Sequence, residues 1–203
     1  MSSTERSSAI VPMFCTDPGL LPPQRTYVCF GVARGGTSAV AGTMQRLGIF
    51  MGDDLPNTYE DPCFGPGQSP ARMRETIARR NEAHAIWGWK YPVAANYLEG
   101  LTDALRNPCL VVVFRDMAAT MKGHMRWHNR DIALAAQDIL LQQQKNWFLL
   151  DRWRVPTLLV SYEKAMLDPR LFVQEFATHL GQPLPEGDAL DRIVGFLAPG
   201  AYK

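Results

Sequence analysis

The sequence predicts an α/β fold, a three-layer sandwich with a central parallel sheet. One reason is that short apolar runs alternate along the chain with segments of helical periodicity, as in βαβ units. Another is the run Cys109–Phe114, which is continuously apolar and rich in β-branched residues, as in a parallel strand covered on both faces. With 203 residues, 46% of them hydrophobic, the chain can bury one core, and we expect one domain at 25–203.

The first half of the chain begins with residues 1–24, which are rich in Ser and Pro and predict a flexible lead-in that packing could order in part. An apolar run predicts a strand at 26–30, and a helix follows at 37–47, where Gly48 supplies a stop. Residues 52–70 contain several Gly and Pro and no clear period, which is typical of a functional or mobile loop. The next elements are a helix at 71–83 and a strand at 85–90.

The second half continues the alternation of strands and helices. A helical segment leads to the apolar strand, and Asp116 can cap the helix that begins near Met117. A long helix with apolar residues at helical spacing then precedes another short strand. The predicted elements of this half are the helix 93–106, the strand 109–114, the helix from 117, the helix 131–153, the strand 157–161, and the helices 169–180 and 186–197.

Charge and cysteine usage narrow the classes of function. The chain has 21 Lys and Arg against 20 Asp and Glu, and this balance does not support nonspecific binding to nucleic acid or to an anionic membrane. The four cysteines show neither CxxC spacing nor a paired framework, so we expect no zinc site and a reducing, cytoplasmic location. No segment approaches the length of a membrane span. Because the charges balance over the whole chain, any site for an anionic ligand must be formed by a few residues close together.

The most informative segment is Gly31–Ser38, which lies between the first predicted strand and helix. It has the frame of the phosphate-binding loop of P-loop NTPases, G-x-x-x-x-G-K-[ST], but Thr37 replaces the lysine and the cation is Arg34, three residues earlier. This change keeps an anion nest of backbone amides and makes Mg²⁺–triphosphate chemistry less favourable. The alternative is an ordinary Gly-rich turn with a surface arginine. The residues that would contact an anion are Arg34, Gly35, Gly36, Thr37 and Ser38.

Two further motifs follow this loop in the sequence, and their order is more informative than either motif alone. Arg115 follows the apolar strand directly, at the carboxyl end where open α/β sheets bind ligands, although it could instead pair with a neighbouring carboxylate. The segment Tyr162–Gly181 begins with Tyr-Glu and contains Asp168-Pro169 before a final Leu-Gly. From its residues alone, this segment indicates a strand end, a helix cap and a helix stop.

Together the three motifs resemble the sulfotransferase family, which transfers a sulfuryl group from 3′-phosphoadenosine 5′-phosphosulfate to a hydroxyl or amine. The segment Ala33–Ser38 is similar to the family's 5′-phosphosulfate loop, and Phe114-Arg115-Asp116 is similar to the element that binds the donor's 3′-phosphate. Tyr162–Gly181 is similar to the family's Y-E-D-L…D-P…L-G ending. The resemblance runs from about residue 26 to residue 185 and implies a P-loop NTPase-like fold.

The resemblance also implies roles for the site residues. Arg34, the loop amides and the two hydroxyls would neutralise the leaving 5′-phosphate without a metal, and Lys90 matches a basic residue that faces the sulfuryl group in many relatives. Glu60 is the first candidate for the general base and Asp61 the second, because Thr58–Phe64 resembles a glutamate-bearing loop of some bacterial relatives. The acceptor is open among a small molecule, a saccharide and a peptide, and the oligomeric state is open as well.

Some positions depart from the family pattern. The family usually has a serine eight residues after the 3′-phosphate arginine, and here that position is Gly123, so the contact could shift to Thr120, Lys122 or His124. Histidines at 84, 124 and 128 are further bases within the chain. Two rival interpretations remain: a nucleotide-dependent kinase or hydrolase, with Asp116 on Mg²⁺, and a non-catalytic binding module with the same fold.

Overall fold

A computed structural model describes residues 7–128 and 131–198, with the side chains of Trp127 and His128 excepted. Five strands and seven helices lie within these ranges. The strands are β1 (Ile10–Met13), β2 (Arg25–Phe30), β3 (Ile86–Lys90), β4 (Pro108–Phe114) and β5 (Thr157–Ser161). The helices are α1 (Thr37–Arg46), α2 (Pro70–Ala83), α3 (Met117–His128), α4 (Ile132–Trp153), α5 (Tyr162–Leu167), α6 (Pro169–His179) and α7 (Gly187–Phe196).

The strands form one sheet in the order β1-β5-β4-β2-β3. Four neighbouring strands are parallel, and β1 pairs antiparallel with β5 at one edge. The chain passes from β2 to β3 on one side of β2, and then crosses to β4 on the other side. The carboxyl end of β2 is therefore a topological switch point, the place where open α/β sheets bind ligands.

Two hydrophobic cores cover the two faces of the sheet and confirm the predicted three-layer sandwich. Alternate residues of each strand point to opposite cores, as the period of a β-strand requires. One core joins the sheet to α1, α5, α6 and α7 and contains Tyr27 and Cys29. The other joins it to α2, α4 and the segment 94–105, and contains Val28 and Phe30. The buried pair Trp87 and Trp89 belongs to this second core.

Three segments differ from the sequence predictions. The lead-in 1–24 was predicted without a strand, but it contributes β1, because Ile10–Met13 completes the ladder of β5. The predicted helix at 93–106 is wrong: the segment forms two short 3-10 turns, Ala94–Asn96 and Leu98–Leu101, and Gly100 within it disfavours a continuous α-helix. The short helix α5 was not predicted, and it begins where the Ser161 hydroxyl accepts from the Lys164 amide.

Candidate functional site

The Gly-rich loop, Gly31–Ser38, connects β2 to α1 at the switch point. It turns through two residues with positive φ, Arg34 at 62° and Gly36 at 87°. Such a conformation costs a non-glycine residue about 1–3 kcal/mol, so Arg34 is held there by the surrounding structure. α1 begins at Thr37, and the N–H groups of a first helical turn have no partners within the helix. The loop and helix therefore present amides and partial positive charge to the same place.

The two later motifs pack directly on this loop. Arg115 donates from Nη1 to the carbonyl of Arg34 at 3.0 Å, and its guanidinium lies 4.6 Å from the centre of the Tyr162 ring. That ring packs against Gly36, where a Cβ would lie 2.2 Å from Tyr162 Cδ2. Glu163 accepts from the Asp116 amide at 3.0 Å. The motifs that are far apart in sequence thus form one contiguous structure.

Gly123 lies against the side chain of Arg34 rather than at an open position. A Cβ at Gly123 would lie 2.9 Å from Arg34 Cβ, closer than real Cβ contacts allow. The side chain of the next residue, His124, is buried, and its Nε2 lies 2.8 Å from the Ala33 carbonyl oxygen. Glycine at this position makes room for Arg34. Helix α3 therefore supports the loop in two ways: His124 contacts the loop backbone, and Gly123 leaves space for the Arg34 side chain.

A buried polar pair on α4 fixes the start of the loop and was not predicted from the sequence. Asn146 donates to the Gly31 carbonyl at 2.7 Å, and Gln142 donates to the Asn146 side chain at 3.1 Å. Both residues stand in the apolar register of the helix, beside Ile139 and Leu149. A polar residue at a position where the helical pattern calls for an apolar one was the signal that could have revealed this pair, because buried side-chain amides need hydrogen-bond partners.

Lys90 and Glu60 form the second half of the site. Lys90 ends β3 with only 1% of its side chain exposed, and its ammonium donates to Glu60 Oε1 at 2.9 Å, to the Thr58 carbonyl at 3.0 Å and to Ser38 Oγ at 3.4 Å. Ser38 Oγ itself donates to the Thr58 carbonyl at 2.9 Å. The Glu60 side chain is 37% exposed. The structure therefore brings the loop, the predicted basic residue and the first candidate base into contact.

Asp61 points away from this cluster. It is buried and paired with Arg80, at 2.5 Å between Oδ2 and Nη1, while its Oδ1 accepts from the Cys63 amide at 2.9 Å. The Arg80 guanidinium lies within about 5.5 Å of the ring centres of Phe50, Phe64 and Trp87. Asp61 thus neutralises a buried cation and caps a turn, whereas its neighbour Glu60 faces the cleft.

The other bases considered from the sequence lie elsewhere or are engaged. His84 stacks on Phe50, with ring centres 4.1 Å apart, and His124 is turned to the loop backbone. The side chain of His128 lies outside the described residues. Asp116 caps α3 by accepting from the Ala119 amide at 2.8 Å, as predicted. In the described parts of the chain, no group of three or more His, Cys, Asp or Glu residues could hold a metal ion.

A cleft of about 570 Å³ joins these parts. This volume lies in the range of small-molecule sites, roughly 300–1,000 Å³. It is lined by the Gly-rich loop, by Asn57 and Thr58, and by residues at the ends of β3 and β4. The lining residues that the sequence predicted are Arg34, Gly36, Thr37, Ser38, Glu60, Lys90 and Arg115. Gly35 lies under the surface of the loop, where it donates to the Val32 carbonyl at 3.0 Å.

The environment of Lys90 predicts the direction in which the pKa of its ammonium group is shifted. Burial lowers the pKa of Lys90 below its ordinary value of 10.5, and the Glu60 carboxylate opposes this shift. Replacing Glu60 by glutamine is therefore expected to lower the pKa of Lys90 further. Because the unfolded chain binds a proton that the folded chain releases between the two pKa values, the stability contributed by this site rises with pH up to about 10.5.

NMR of ¹³C-labelled lysine measures this pKa directly, with Lys145 as an exposed control on α4. An unshifted pKa would contradict the burial of Lys90, and a pKa that rises in the glutamine variant would contradict its ion pair with Glu60.

Comparison with known proteins places this geometry among solved structures. No protein-family model and no curated protein matches the chain. The sulfotransferase domain of the Synechococcus PCC 7002 olefin synthase matches with a TM-score of 0.55 and 17% identity, over 83% of this chain and 76% of that domain. A sulfotransferase from Alicyclobacillus acidocaldarius matches with a TM-score of 0.53 and 14% identity, over 88% of this chain and 92% of that protein.

Within the described residues, no helix is both long enough and apolar enough to span a membrane.

The likeness to these two solved structures, at 17% and 14% identity, concerns the fold, and it agrees with the resemblance implied by the three motifs. The chain has the fold of bacterial sulfotransferases.

Proposed function

We propose that this protein is a sulfotransferase that moves a sulfuryl group from 3′-phosphoadenosine 5′-phosphosulfate to a hydroxyl or amine acceptor. The observation that carries the proposal is one cleft lined by the Gly-rich loop, two arginines and the Lys90–Glu60 pair. A phosphosulfate donor needs an anion cradle, and an acceptor needs a base beside it. Both requirements are met by residues of the same cleft.

The donor end of the cleft is built for phosphate groups. The amides at the start of α1, the hydroxyls of Thr37 and Ser38 and the Arg34 side chain would hold the 5′-phosphosulfate. Arg115, anchored on the Arg34 carbonyl and on Tyr162, would hold the 3′-phosphate. These charges fit the donor, and the lining is large enough for a nucleotide.

The acceptor end contains Glu60, whose Oε1 is engaged by Lys90. Its second oxygen, Oε2, would accept the proton of the acceptor hydroxyl or amine. Lys90 would hold Glu60 in place and add positive charge behind Ser38 at the first turn of α1. The lining beside them is formed by Asn57, Thr58, Tyr91, Pro92 and Val93. This mixture of polar and apolar groups suits a small molecule, a saccharide or a peptide side chain.

The chemistry is a displacement at sulfur. The donor supplies a sulfuryl group, whose sulfur–oxygen bond to the 5′-phosphate breaks while the bond to the acceptor oxygen or nitrogen forms. The electron pair of the broken bond stays on the phosphate, where Arg34 and the loop amides stabilise the charge. The acceptor proton goes to Glu60. Positioning and fixed charge therefore supply most of the catalysis.

The test combines binding with turnover. Adenosine 3′,5′-bisphosphate is expected to raise the melting temperature of the chain, and Mg²⁺–ATP is expected to raise it less. With ³⁵S-labelled donor and a panel of phenols, amines, sugars and peptides, we expect label transfer to at least one acceptor. Glu60→Gln should reduce kcat about 100- to 10,000-fold and leave bisphosphate binding unchanged.

Three outcomes contradict the proposal or one of its assignments. Strong stabilisation by Mg²⁺–ATP with none by the bisphosphate favours a kinase or hydrolase. Binding of the bisphosphate without transfer to any acceptor class favours a non-catalytic module. Full activity in the Glu60→Gln variant removes Glu60 from the base role.

A further inference from the structure

Tyr59 lies between the two groups of its loop that contact Lys90. The Thr58 carbonyl before it and the Glu60 carboxylate after it accept hydrogen bonds from the same ammonium, at 3.0 and 2.9 Å. Tyr59 itself has a φ of 58°, in the left-handed region that bulky residues adopt only at a cost. Glycine or asparagine is the usual residue where a turn needs this conformation. A tyrosine at this position indicates that its side chain is needed for contacts that a glycine could not make.

The contacts of the Tyr59 ring lie on α1 and α7. Its hydroxyl accepts from Arg46 Nη1 at 2.8 Å, and its ring meets the Phe196 ring edge-on, with ring centres 5.9 Å apart. Arg46 also packs on Phe196, with its guanidinium carbon 3.6 Å from the ring centre. Because Phe196 is only 8% exposed, this partner of the tyrosine is itself fixed in the core. Tyr59 thus connects its loop to two helices.

Gly42 shows how closely the two rings pack on α1. A Cβ at this position would lie 2.3 Å from Phe196 Cζ and 2.9 Å from Tyr59 Cζ. Glycine weakens the interior of a helix, but here the absence of a side chain leaves the space that the rings occupy. Ser38 lies one turn before Gly42 on α1, and its hydroxyl donates to the Thr58 carbonyl at 2.9 Å. Consecutive residues of the loop therefore contact consecutive turns of α1.

We propose that Tyr59 is a positioning residue: its ring, held by α1 and α7, keeps the Glu60 carboxylate in contact with Lys90 and facing the cleft. The Glu60 side chain is 37% exposed, and an ion pair with an exposed partner gains little from fixing a flexible side chain by itself. An anchored neighbour restricts the loop backbone to the conformation in which the carboxylate meets the ammonium. The role in catalysis rests on the proposed function, whereas the contact between Glu60 and Lys90 can be measured without a donor or an acceptor.

The electrostatic coupling between Lys90 and Glu60 tests this role in the full chain without ligands. In the parent, Glu60→Gln is expected to lower the pKa of Lys90, which NMR of ¹³C-labelled lysine measures. In a Tyr59→Gly background, the same replacement should lower this pKa by less than about half as much, because the loop no longer holds Glu60 in contact. Glycine adopts the left-handed conformation without strain, so the lost coupling would come from the missing ring and not from the backbone.

Three further variants make the comparison specific. Tyr59→Phe keeps the ring and loses only the hydrogen bond from Arg46, so it should retain most of the coupling. Gly42→Ala keeps the tyrosine but inserts a methyl group where the rings lie, and it should reduce the coupling even though alanine favours the helix. Phe14→Gly is the matched control, because Phe14 also has a positive φ, 62°, and lies near an arginine, Arg154. Phe14 follows β1 where this strand pairs with the start of β5, at the end of the sheet opposite the cleft.

Kinetics then separate the positioning role from the proposed function. Tyr59→Gly should reduce kcat for sulfuryl transfer about 10- to 100-fold with unchanged binding of adenosine 3′,5′-bisphosphate, and adding it to Glu60→Gln should cause little further loss. A chain without transfer activity contradicts the proposed function, and the NMR coupling still decides the role of Tyr59. Coupling of parental size in Tyr59→Gly overturns the positioning role, and so does an equal loss of coupling in Phe14→Gly. Circular dichroism confirms that each variant is folded.

Discussion

Replacing Arg34 by alanine is expected to weaken binding of adenosine 3′,5′-bisphosphate roughly 30- to 100-fold, the loss that follows removal of a charge-assisted hydrogen bond. Arg34 is the cation of the Gly-rich loop, and it is held in a left-handed backbone conformation that a non-glycine residue adopts at a cost. Its side chain lines the cleft beside the amides of α1. Isothermal titration calorimetry measures the loss.

The matched variants separate charge from geometry. Arg34→Lys keeps the positive charge but loses the planar fork, so its affinity should fall between those of the parent and the alanine variant. Arg79→Ala removes an exposed arginine of α2 outside the cleft and should bind as the parent does. Unchanged binding in Arg34→Ala would refute the assignment of the loop to the donor.

Replacing Asp61 by alanine is expected to lower the free energy of unfolding by about 3–5 kcal/mol, the effect of leaving one partner of a buried ion pair alone. Asp61 and Arg80 are both buried, and the guanidinium is enclosed by aromatic rings that offer no acceptor comparable to a carboxylate. Urea denaturation followed by tryptophan fluorescence measures the change, because Trp87 and Trp89 belong to the same core.

Two controls give this experiment its meaning. Asp103→Ala breaks an exposed pair with Arg74 and should leave stability close to that of the parent. Glu60→Gln alters the neighbouring carboxylate and should reduce activity without a comparable loss of stability. If Asp61→Ala instead keeps its stability and loses only sulfuryl transfer, Asp61 is the base and our choice of Glu60 is wrong.

The sequence was sufficient for the parallel part of the sheet because its strands are short apolar runs between helices. β4 and β5 begin and end within a residue of the predicted bounds, as does the helix α1. The edge strand β1 escaped prediction because only four residues form it and its pairing with β5 is a long-range contact. Local patterns predict local structure, whereas edge strands depend on the partner that is already folded.

The site was predictable where its residues follow strands. Lys90 ends β3, Arg115 directly follows β4, and Arg34 lies in the loop that follows β2. These strand ends meet at one edge of the sheet. The choice between Glu60 and Asp61 was open, because adjacent residues share one local pattern. Packing separates them: one side chain turns to Lys90 and the other to Arg80.

The contact between Gly123 and Arg34 means that the two positions cannot vary independently. A Cβ at residue 123 would lie 2.9 Å from Arg34 Cβ, so the loop must shift to admit it, and only glycine at residue 34 would remove the clashing atom. A double-mutant cycle across this pair should therefore show strong non-additivity. For protein engineering, a hydroxyl can be introduced at residue 123 only together with glycine at residue 34, and that pair of substitutions also removes the loop cation.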